Sequence, residues 1–476
     1  MSVNVTEIGG EGSVVIVPIE IEIEPEVAFH HIAKAPHSFF LDTALPDYYG
    51  LGHHSFMGAK PFVVIRTRGE NIELVTSKGI ARSKGDPFDA LAVLLDRFNV
   101  AGDVDALPFT GGMVGYFAYD LGRFIERLPC TVEDDQEFPE LYGAFYRKVI
   151  VHDHRTGGWY LCVTNFAGLP EINAGKEAAK TARRFEALLA TPPPEPPPPP
   201  TAEMETNFTR DEYLRAVDRA LEYIRAGDIY QVNLSQRFRT NRIEHPVQTY
   251  MRLRKRNAAP FAAYFGFDDI QVLSTSPERF LRVRGRNVET RPIKGTRPRG
   301  KNDEEDRRMR EELQASVKDR AELNMIVDLE RNDLGRVCEY GSVEVTRHAA
   351  IESYATVHHL VSTIEGTLRP EVGVVDLLKA SFPGGSITGA PKIRSMEIID
   401  ELEPTARNLY TGSIGYIRFD GDADLDIVIR TVLAGPKKLS FQVGGGIVAD
   451  SDPAAEYEET LHKGRAIFQA LGSVEE

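Results

Sequence analysis

Short runs in which apolar and polar residues alternate recur along most of this chain, and each such run predicts a β-strand. Before residue 190, the runs PFVVIRTRG and KVIVHDH have this pattern, whereas EAAKTARRFEALLA has the spacing of a helix. After residue 208, the runs IYQVNLSQRF, FAAYFGF, LDIVIRTVLAG and LSFQVGGGIV predict further strands. Both halves of the chain are therefore expected to mix strands with helices.

Helices with clear ends are predicted in the second half. The first begins at a capping box formed by Thr209 and Glu212, and apolar residues then recur at helical spacing until Gly227 ends it. Three further helices are predicted over residues 319–329, 392–401 and 453–471. Pro453 at a first-turn position marks the start of the last one.

A proline-rich segment divides the chain. The run TPPPEPPPPP begins at Thr191, and its consecutive prolines favour an extended, semi-rigid conformation that cannot join a packed core. We therefore predict an N-terminal domain over residues 1–190, a linker over 191–208 and a catalytic domain over 209–476.

The composition excludes several classes of protein. With 71 acidic and 56 basic residues, the 476-residue chain has a formal charge of -15, which argues against nucleic acid or an anionic membrane as the main partner. Cys130, Cys162 and Cys338 form neither a metal-spaced pair nor a disulfide framework, which favours a reducing compartment. The apolar stretch near the N-terminus is short and interrupted by acids, so it predicts a strand instead of a membrane span. We expect a cytoplasmic globular protein.

Acidic residues fall at helical spacing in two of the predicted helices. Asp319 and Glu322 share one helix face, and Glu456 and Glu459 share another with Lys463. Facing each other, the two helices would offer an oxygen-only nest, which suits Mg²⁺ when waters and a substrate carboxylate or phosphate complete its shell. The alternative, favoured by spacing alone, is that these acids are solvated and paired with neighbouring Lys or Arg side chains.

An acid and an amine are predicted to meet at one end of a sheet. Glu278 follows a Ser-Pro turn between two predicted strands, and Lys294 lies in a similar turn sixteen residues later. A lysine kept neutral by desolvation or by a nearby cation can act as a nucleophile, and the acid can protonate a leaving hydroxyl. An ordinary surface ion pair is the alternative.

Other segments have the residue types that bind anions. The glycines Gly444 to Gly446 lie in a predicted strand, where missing side chains let backbone N–H groups approach an anion, although a β-bulge is the alternative. Arg430, in a predicted strand, and Tyr410 can clamp a carboxylate. The run FPGGSITGAPK is not a phosphate loop, because Ala390 and Pro391 stand before its lysine.

Taken together, these segments resemble the chorismate-binding family, which includes anthranilate synthase component I, aminodeoxychorismate synthase component I and the isochorismate and salicylate synthases. The resemblance runs through GDIYQVNLSQRF, SPERF, RPIKGT, DRAELNMIVDLERNDLGR, ATVHHLVS, FPGGSITGAPK, IVIRT and VGGGIVADSDPAAEYEET. Upstream, HSFFLDTALP, HHSFMGAKP and TGGMVGYFAYDLGR resemble the family's N-terminal domain. The resemblance implies an α+β fold, a two-layer antiparallel β sandwich surrounded by helices, with the site in a cleft.

The resemblance also implies a role for each candidate residue. It implies that Glu322 and Glu459 bind Mg²⁺, with Asp319 and Glu456 in or beside the metal's shell through water. Glu278 becomes the general acid for the C4 hydroxyl of chorismate. The groups implied around the substrate carboxylates are Tyr410, Arg430, Lys463, the Gly444 and Gly446 amides, Thr296 and Gly295, and those implied along the ring are His359 and Thr388.

One position separates the members of the family. The residue before GT in the PIxGT motif is alanine in anthranilate and isochorismate-type enzymes and lysine in aminodeoxychorismate synthases; here it is Lys294. This implies amination of chorismate at C4 through a covalent lysine adduct, on the route to 4-aminobenzoate and folate. The isochorismate and salicylate synthases use a water-activating lysine where this chain has Gln231, which disfavours that branch. The alternatives are anthranilate synthase component I and, against the intact acids and Lys294, a non-catalytic ligand-binding subunit.

A protein partner and a second ligand are implied as well. Release of ammonia from glutamine needs a cysteine nucleophile, and none of the three cysteines lies in a glycine-rich elbow. A separate glutamine amidotransferase subunit is therefore implied. The N-terminal domain of relatives can hold tryptophan. Here FFLDT replaces the LLES pattern of the regulated enzymes and His54 stands where Arg is frequent, which argues against feedback control.

Overall fold

The computed structural model describes residues 12–46, 49–100, 107–199, 201–354 and 357–473. The strands are β1 (Gly12–Ile19), β2 (Ser38–Asp42), β3 (His54–Gly58), β4 (Val63–Arg68), β5 (Asn71–Thr76), β6 (Gly79–Lys84), β7 (Gly112–Phe117), β8 (Leu141–Tyr146), β9 (Lys148–Asp153), β10 (Gly158–Phe166), β11 (Glu205–Thr206), β12 (Gln231–Asn241), β13 (Phe261–Phe267), β14 (Ile270–Ser276), β15 (Arg279–Arg284), β16 (Asn287–Thr290), β17 (Ile293–Pro298), β18 (Glu344–Ser353), β19 (Val357–Thr367), β20 (Gly389–Ala390), β21 (Ser413–Arg418), β22 (Ala423–Ile427), β23 (Thr431–Ala434) and β24 (Lys438–Ile447).

The helices are α1 (Pro25–Phe29), α2 (Pro87–Arg97), α3 (Ala174–Ala190), α4 (Arg210–Ala226), α5 (Pro246–Arg256), α6 (Asp303–Ala315), α7 (Val317–Gly335), α8 (Val374–Ser381), α9 (Lys392–Leu402) and α10 (Pro453–Leu471). Two short 3-10 helices cover Tyr119–Phe124 and Gly385–Ile387.

The strands form two antiparallel sheets, each 12-stranded within the described residues. The first sheet has the order β1-β10-β9-β3-β2-β13-β14-β23-β24-β12-β11, with β20 also paired to β12. The second has the order β17-β19-β16-β15-β22-β21-β7-β8-β4-β5-β6, with β18 also paired to β19. The predicted two-layer antiparallel β sandwich surrounded by helices is therefore confirmed.

Aromatic side chains fill the space between the two sheets. Phe39 and Phe56 of the first sheet meet Tyr116, Tyr142 and Tyr416 of the second in one buried cluster. The outer face of the first sheet packs against α1, α3, α5 and α10, and that of the second against α2, α7 and α8. Central strands such as β7 and β8 are thus buried on both faces, which explains their apolar runs. None of the helices in the described ranges is both long and apolar enough to cross a membrane.

Both sheets take strands from either side of the proline-rich segment. In the first sheet β2 pairs with β13, and in the second β7 pairs with β21. Residues 191–199 have no regular structure and are mostly exposed, as the prolines predict. The division at residues 191–208 stays a prediction, but the polypeptide on its two sides builds a shared sandwich.

The helix signals in the sequence are borne out where they are strongest. Thr209 is the N-cap of α4 and forms the full capping box, and Gly227 ends the helix in the left-handed conformation. α10 has the predicted bounds and begins with Pro453. Local hydrogen-bonding chemistry decides these ends, so they can be read without knowledge of the fold.

Three placements made from the sequence are wrong. The run LDIVIRTVLAG is not one strand, because β22 belongs to the second sheet and β23 to the first. Arg430 consequently lies in the crossing between them, with a φ of 50° instead of a strand conformation. Lys294 lies in strand β17 and not in a turn. A periodic run does not reveal that its strand changes sheets.

We predict that cutting the proline-rich segment leaves the protein assembled. A protease site introduced within residues 192–196 should be cleaved readily, and the two fragments should then elute together at the size of the intact chain, because each sheet is hydrogen-bonded across the cut. Size-exclusion chromatography under native conditions measures this, with uncut protein as the control. Separate elution of the fragments would show that the halves fold independently.

Candidate active site

Two crossings between the sheets lie side by side and begin the site. Glu278 lies where the chain passes from β14 to β15, and Arg430 where it passes from β22 to β23. The Ile427 N–H donates to the Glu278 carbonyl at 3.0 Å, and the Thr275 N–H donates to the Arg430 carbonyl at 3.2 Å. An acid and a guanidinium from distant parts of the sequence are thereby held at the same end of the sandwich.

Glu278 is an acid that burial keeps protonated more readily than a surface carboxyl. It is only 5% exposed, and one of its oxygens accepts the Ile293 N–H at 3.4 Å. Burial raises its pKa, while Ser386, Lys294 and Arg430 oppose the shift. A carboxyl of this kind is suited to donate a proton to a leaving group.

Lys294 has the complementary property. Its Nζ donates to the Ser386 carbonyl at 2.9 Å, and the side chain is half-buried. Burial lowers its pKa, opposed by the carboxylates of Glu322 and Glu278 and assisted by the positive charge of Lys463. The same desolvation therefore favours the proton on the acid and the free lone pair on the amine.

A bulge beside Lys294 shapes the strand that carries it. The register between β17 and β19 shifts between Lys294 and Thr296, and Gly295 has a φ of 76°. A Cβ on Gly295 would come within 2.9 Å of the Asp319 side chain. A glycine is required here both by the left-handed backbone and by the close approach of α7.

His359 is a neutral imidazole next to this bulge. Its Nδ1 is hydrogen-bonded to the Thr296 hydroxyl at 2.9 Å, and its buried Nε2 has no partner among the residues that the structure describes. Burial, assisted by the charge of Arg430, lowers its pKa to about 3. The ring therefore offers a polar but uncharged surface to a bound molecule.

The glycine run of β24, residues 444–446, forms another wall of the site. Residues 444–446 pair with β12 in continuous register, so the bulge alternative is wrong. A Cβ on Gly445 would lie 3.2 Å from Glu456 Oε2, 3.7 Å from Glu459 Oε1 and 3.7 Å from Lys463 Nζ, and one on Gly444 would lie 2.9 Å from the Tyr410 hydroxyl. The absent side chains leave room in which carboxylates, an ammonium and a phenol converge.

The acids of α7 and α10 share this region. Burial raises the pKa of Glu322 and of Glu456, and the charge of Glu456 contributes to the shift of Glu322. Lys463 holds Glu459 in an ion pair of 2.7 Å and lowers its pKa. No group of three or more His, Cys, Asp or Glu side chains in the described ranges could hold a metal ion as it stands.

Asp319 is engaged elsewhere. Its carboxylate accepts from Arg297 Nη2 at 3.1 Å, and the same guanidinium also bonds Glu312 at 2.9 Å through Nε. Its backbone N–H is capped by the Ser316 hydroxyl at 3.2 Å. The structure thus pairs this carboxylate with a cation of β17.

Contacts and charge interactions therefore connect most residues predicted from the sequence into one region, here called the cleft, which takes side chains from both sheets and from α7 and α10. Thr388 is fully buried, and its hydroxyl bonds the Gly384 carbonyl at 3.0 Å. The sequence missed Ser386, which contacts Lys294, and Arg407, which lies behind Tyr410. Ser386 belongs to the motif FPGGSITGAPK, from which only Thr388 was predicted, and nothing local distinguishes Arg407.

A separate cavity of about 160 Å³ lies between the sheets on the N-terminal side. Its walls combine residues of both halves, among them Asp42, His54, Phe56, Arg279, Tyr416 and Asp424. Arg279, next in sequence to Glu278, bonds Asp424 at 2.9 Å and Glu289 at 2.7 Å. The last three residues of the FFLDT segment line this cavity. Binding of tryptophan by the N-terminal domain stays a prediction.

The chain is similar to known proteins over most of its length. A family model described as chorismate binding enzyme matches residues 52–469. Aminodeoxychorismate synthase component 1 of Klebsiella aerogenes is 39% identical over 451 residues, covering 94% of this chain and 96% of that protein. Anthranilate synthase component 1 of Thermus thermophilus is 44% identical over 376 residues, covering 78% of this chain and 79% of that protein. The crystal structure of anthranilate synthase component I from Streptococcus pneumoniae has a TM-score of 0.77 at 31% identity and covers 89% of this chain and 93% of that chain.

We predict that Lys294 reacts with an amine-selective acylating reagent at lower pH than an exposed lysine does. Because burial lowers its pKa, the neutral amine is present at a pH where ordinary lysines are still protonated. Peptide mass spectrometry of timed samples across a pH series measures the rate, with exposed Lys176 of α3 as the internal reference. A midpoint at or above that of Lys176 would contradict the assignment.

Proposed function

The chain belongs to the chorismate-binding enzyme family, and on that premise we propose that it acts as component 1 of an aminodeoxychorismate synthase. The reaction replaces the C4 hydroxyl of chorismate by an amino group and keeps the enolpyruvyl group, in the synthesis of 4-aminobenzoate and folate. It is a transferase reaction of the transaminase class. The observation that carries the proposal is Lys294, with a lowered pKa, electrostatically coupled to the buried acid Glu278.

A second residue supports the choice of branch. Gln231 is fully buried against Gly446, where a Cβ would lie 2.3 Å from its Nε2. An amide has no basic lone pair with which to deprotonate water, so hydration of the ring is disfavoured at this position. Amination needs no such base, because ammonia brings its own lone pair.

In the first proposed step, Lys294 attacks ring C2 as Glu278 protonates the departing C4 hydroxyl. A C2–N bond forms, both ring double bonds shift by one position (C1=C2 to C1=C6 and C5=C6 to C4=C5), the C4–O bond breaks and water leaves. In the second step, ammonia attacks C4, both double bonds shift back and the C2–N bond breaks. Lys294 leaves as the amine, and the Glu278 carboxylate takes up the proton that the new amino group loses. Atoms and charges balance over the two steps.

The remaining polar groups are proposed to orient chorismate. Arg430, Lys463 and the Tyr410 hydroxyl supply donors for the two substrate carboxylates, as do the backbone amides of Gly444 and Gly446. Gly295 and Thr296 line the same side, and His359 and Thr388 lie along the ring. The unpartnered Nε2 of His359 supports a contact with a bound molecule.

We propose Mg²⁺ as the cofactor, held by Glu322 and Glu459 with Glu456 beside it. The donor set is oxygen-only, which fits this ion, and the side-chain-free face of Gly445 leaves room between Glu456 and Glu459. When bound, Mg²⁺ would neutralise a substrate carboxylate and fix its position. The protein's own part is to hold its carboxylates in place and to keep Lys463 near Glu459.

Ammonia is proposed to come from a glutamine amidotransferase subunit. Burial raises the pKa of Cys162 to about 12 and that of Cys338 to about 11, so neither thiol is suited to form the nucleophilic thiolate that glutamine hydrolysis requires. The name component 1 of the relatives fits a protein that works with a second component.

Anthranilate synthase component 1 is the second candidate, favoured by the 44% identity to the Thermus thermophilus protein. That reaction would place the amine at C2 and release pyruvate. It would use the same carboxylate-binding groups but would leave Lys294 without a covalent role. Binding of tryptophan in the cavity between the sheets would be compatible with either candidate function.

We predict that the protein with chorismate, Mg²⁺ and ammonium makes 4-amino-4-deoxychorismate. Without an ammonia source it should instead accumulate an adduct on the peptide that contains Lys294, because the first displacement needs no ammonia. Chromatography identifies the product, and peptide mass spectrometry detects the adduct. Anthranilate as the product would select the second candidate.

The matched variants for this experiment are Lys294→Ala and Lys294→Arg. Both should lose the adduct and most of the C4 product, since arginine keeps the charge but has no free lone pair at neutral pH. Wild-type rates of C4 product from Lys294→Ala would show that the amine is not the nucleophile.

We predict that Glu322→Gln and Glu459→Gln raise the Mg²⁺ concentration needed for half-maximal activity by at least ~10-fold. Each change replaces an anionic ligand of a hard cation by a neutral amide. Mg²⁺ titration of the initial rate measures this, with circular dichroism to verify folding. Glu458→Gln, on the exposed side of α10, is the control. Equal Mg²⁺ requirements in all variants would remove these residues from the metal site.

A further inference from the structure

One guanidinium lies behind three walls of the cleft and uses every donor it has. Arg407 is 2% exposed. Its Nε and Nη2 bond the two oxygens of Glu403 at 2.9 and 2.6 Å. Its other N–H groups bond the carbonyls of Asn233 at 2.7 Å and Ile387 at 3.1 Å, and the Thr411 hydroxyl at 3.3 Å. An arginine has five N–H donors in a rigid plane, and all five are satisfied here.

The groups that accept hydrogen bonds from Arg407 belong to the segments that line the cleft. Ile387 directly precedes Thr388. Asn233 pairs with Gly446 across the β12–β24 ladder. Thr411 follows Tyr410, whose ring centroid lies 5.6 Å from the guanidinium. One planar group is thus bonded to the ring-lining loop, the glycine wall and the phenol.

Glu403 extends the same connection to the glycine wall. Its Oε1 accepts from both the backbone N–H and the hydroxyl of Ser235 at 2.8 Å, and Ser235 pairs with Gly444. The carboxylate therefore holds β12 two residues from the point at which Arg407 holds it. The ion pair fixes β12, and through it the amides of β24, relative to Tyr410 and Thr388.

The energetics indicate that the Arg407–Glu403 ion pair serves to position the surrounding groups more than to stabilise the fold. Burying an ion pair costs desolvation that the attraction often fails to recover, so a well-packed apolar pair would serve stability equally well. A lysine cannot replace the arginine, because three donors at one point cannot reach acceptors spread along the edge of a plane. Positions of donors within a cleft also matter more to catalysis than to folding, since a shift of ~1 Å can cost about 10²-fold in rate.

We propose that Arg407, held by Glu403, is the positioning residue that aligns these three walls for the substrate. The inference rests on the proposed function for the identity of the substrate, chorismate. It assigns to the pair no contact with the substrate itself.

The test compares Arg407→Lys and the milder Glu403→Gln with Arg254→Lys. Arg254 lies on α5, away from the cleft, and is also a largely buried arginine. It forms ion pairs with Asp42 and Glu26. For Arg407→Lys we expect kcat/KM for chorismate to fall about 10²-fold, mainly through a higher KM, and for Glu403→Gln a smaller change in the same direction. Arg254→Lys should lose thermal stability but keep the wild-type KM.

Hydrogen exchange gives a readout that needs neither substrate nor activity. In Arg407→Lys, the amides of residues 387–390, 408–412 and 443–447 should exchange at least ~10-fold faster than in the wild type, while β9 on the far side of the first sheet keeps its protection. If Arg407→Lys does not fold, Glu403→Gln carries the same comparison.

The outcomes separate the inference from the proposed function. A raised KM together with selective exchange at the three segments supports the positioning role. Loss of stability with an unchanged KM per folded molecule, or faster exchange spread over the whole chain, would overturn it. If the wild type does not consume chorismate, the proposed function fails, and the exchange measurement alone decides whether Arg407 aligns the walls.

Discussion

The removal of ionisable side chains from water, at the crossings between the sheets and in strands β17 and β19, is the constraint on which the site depends. Burial disfavours the charged form of any group. It raises the pKa of Glu278, lowers that of Lys294 and lowers that of His359 to about 3. A shift toward the protonated acid, a shift toward the free amine and a neutral imidazole all follow from this one cause. The charges of Glu278 and Lys294 reduce these pKa shifts, because each group opposes the shift of the other.

The same burial makes demands on the rest of the cleft. A polar group in a desolvated interior must be paired, or its desolvation cost is not recovered. Arg407 and Glu403 meet this demand completely, and in the wall of the separate cavity Arg279 meets it through Asp424 and Glu289. In contrast, His359 Nε2 and the amide of Gln231 have no hydrogen-bond partner among the described residues. Buried polar atoms that have no protein partner at a cleft are available to hydrogen-bond a polar molecule bound there.

The sharing of both sheets between the two halves explains how these demands are met. Glu278, Arg430 and Lys294 follow the proline-rich segment in the chain, but the sheets that orient them include β2 and β7 from before it. The cavity between the sheets has walls from both halves as well. The strands of the first half therefore support the site although none of its predicted residues comes from them.

How much the sequence determined depends on the range of the interaction involved. Helix ends such as Thr209 and Gly227 follow from contacts within a few residues, and they were predicted correctly. The set of acids, glycines and the lysine could be assembled because each lies in a distinctive motif. Only the tertiary structure decided that Arg430 lies in a crossing, that Lys294 lies in a strand, that Asp319 pairs with Arg297, and that Arg407 joins three walls. Each of these depends on partners that are distant in the chain or on a change of sheet, and a local pattern of polar and apolar residues carries no information about either.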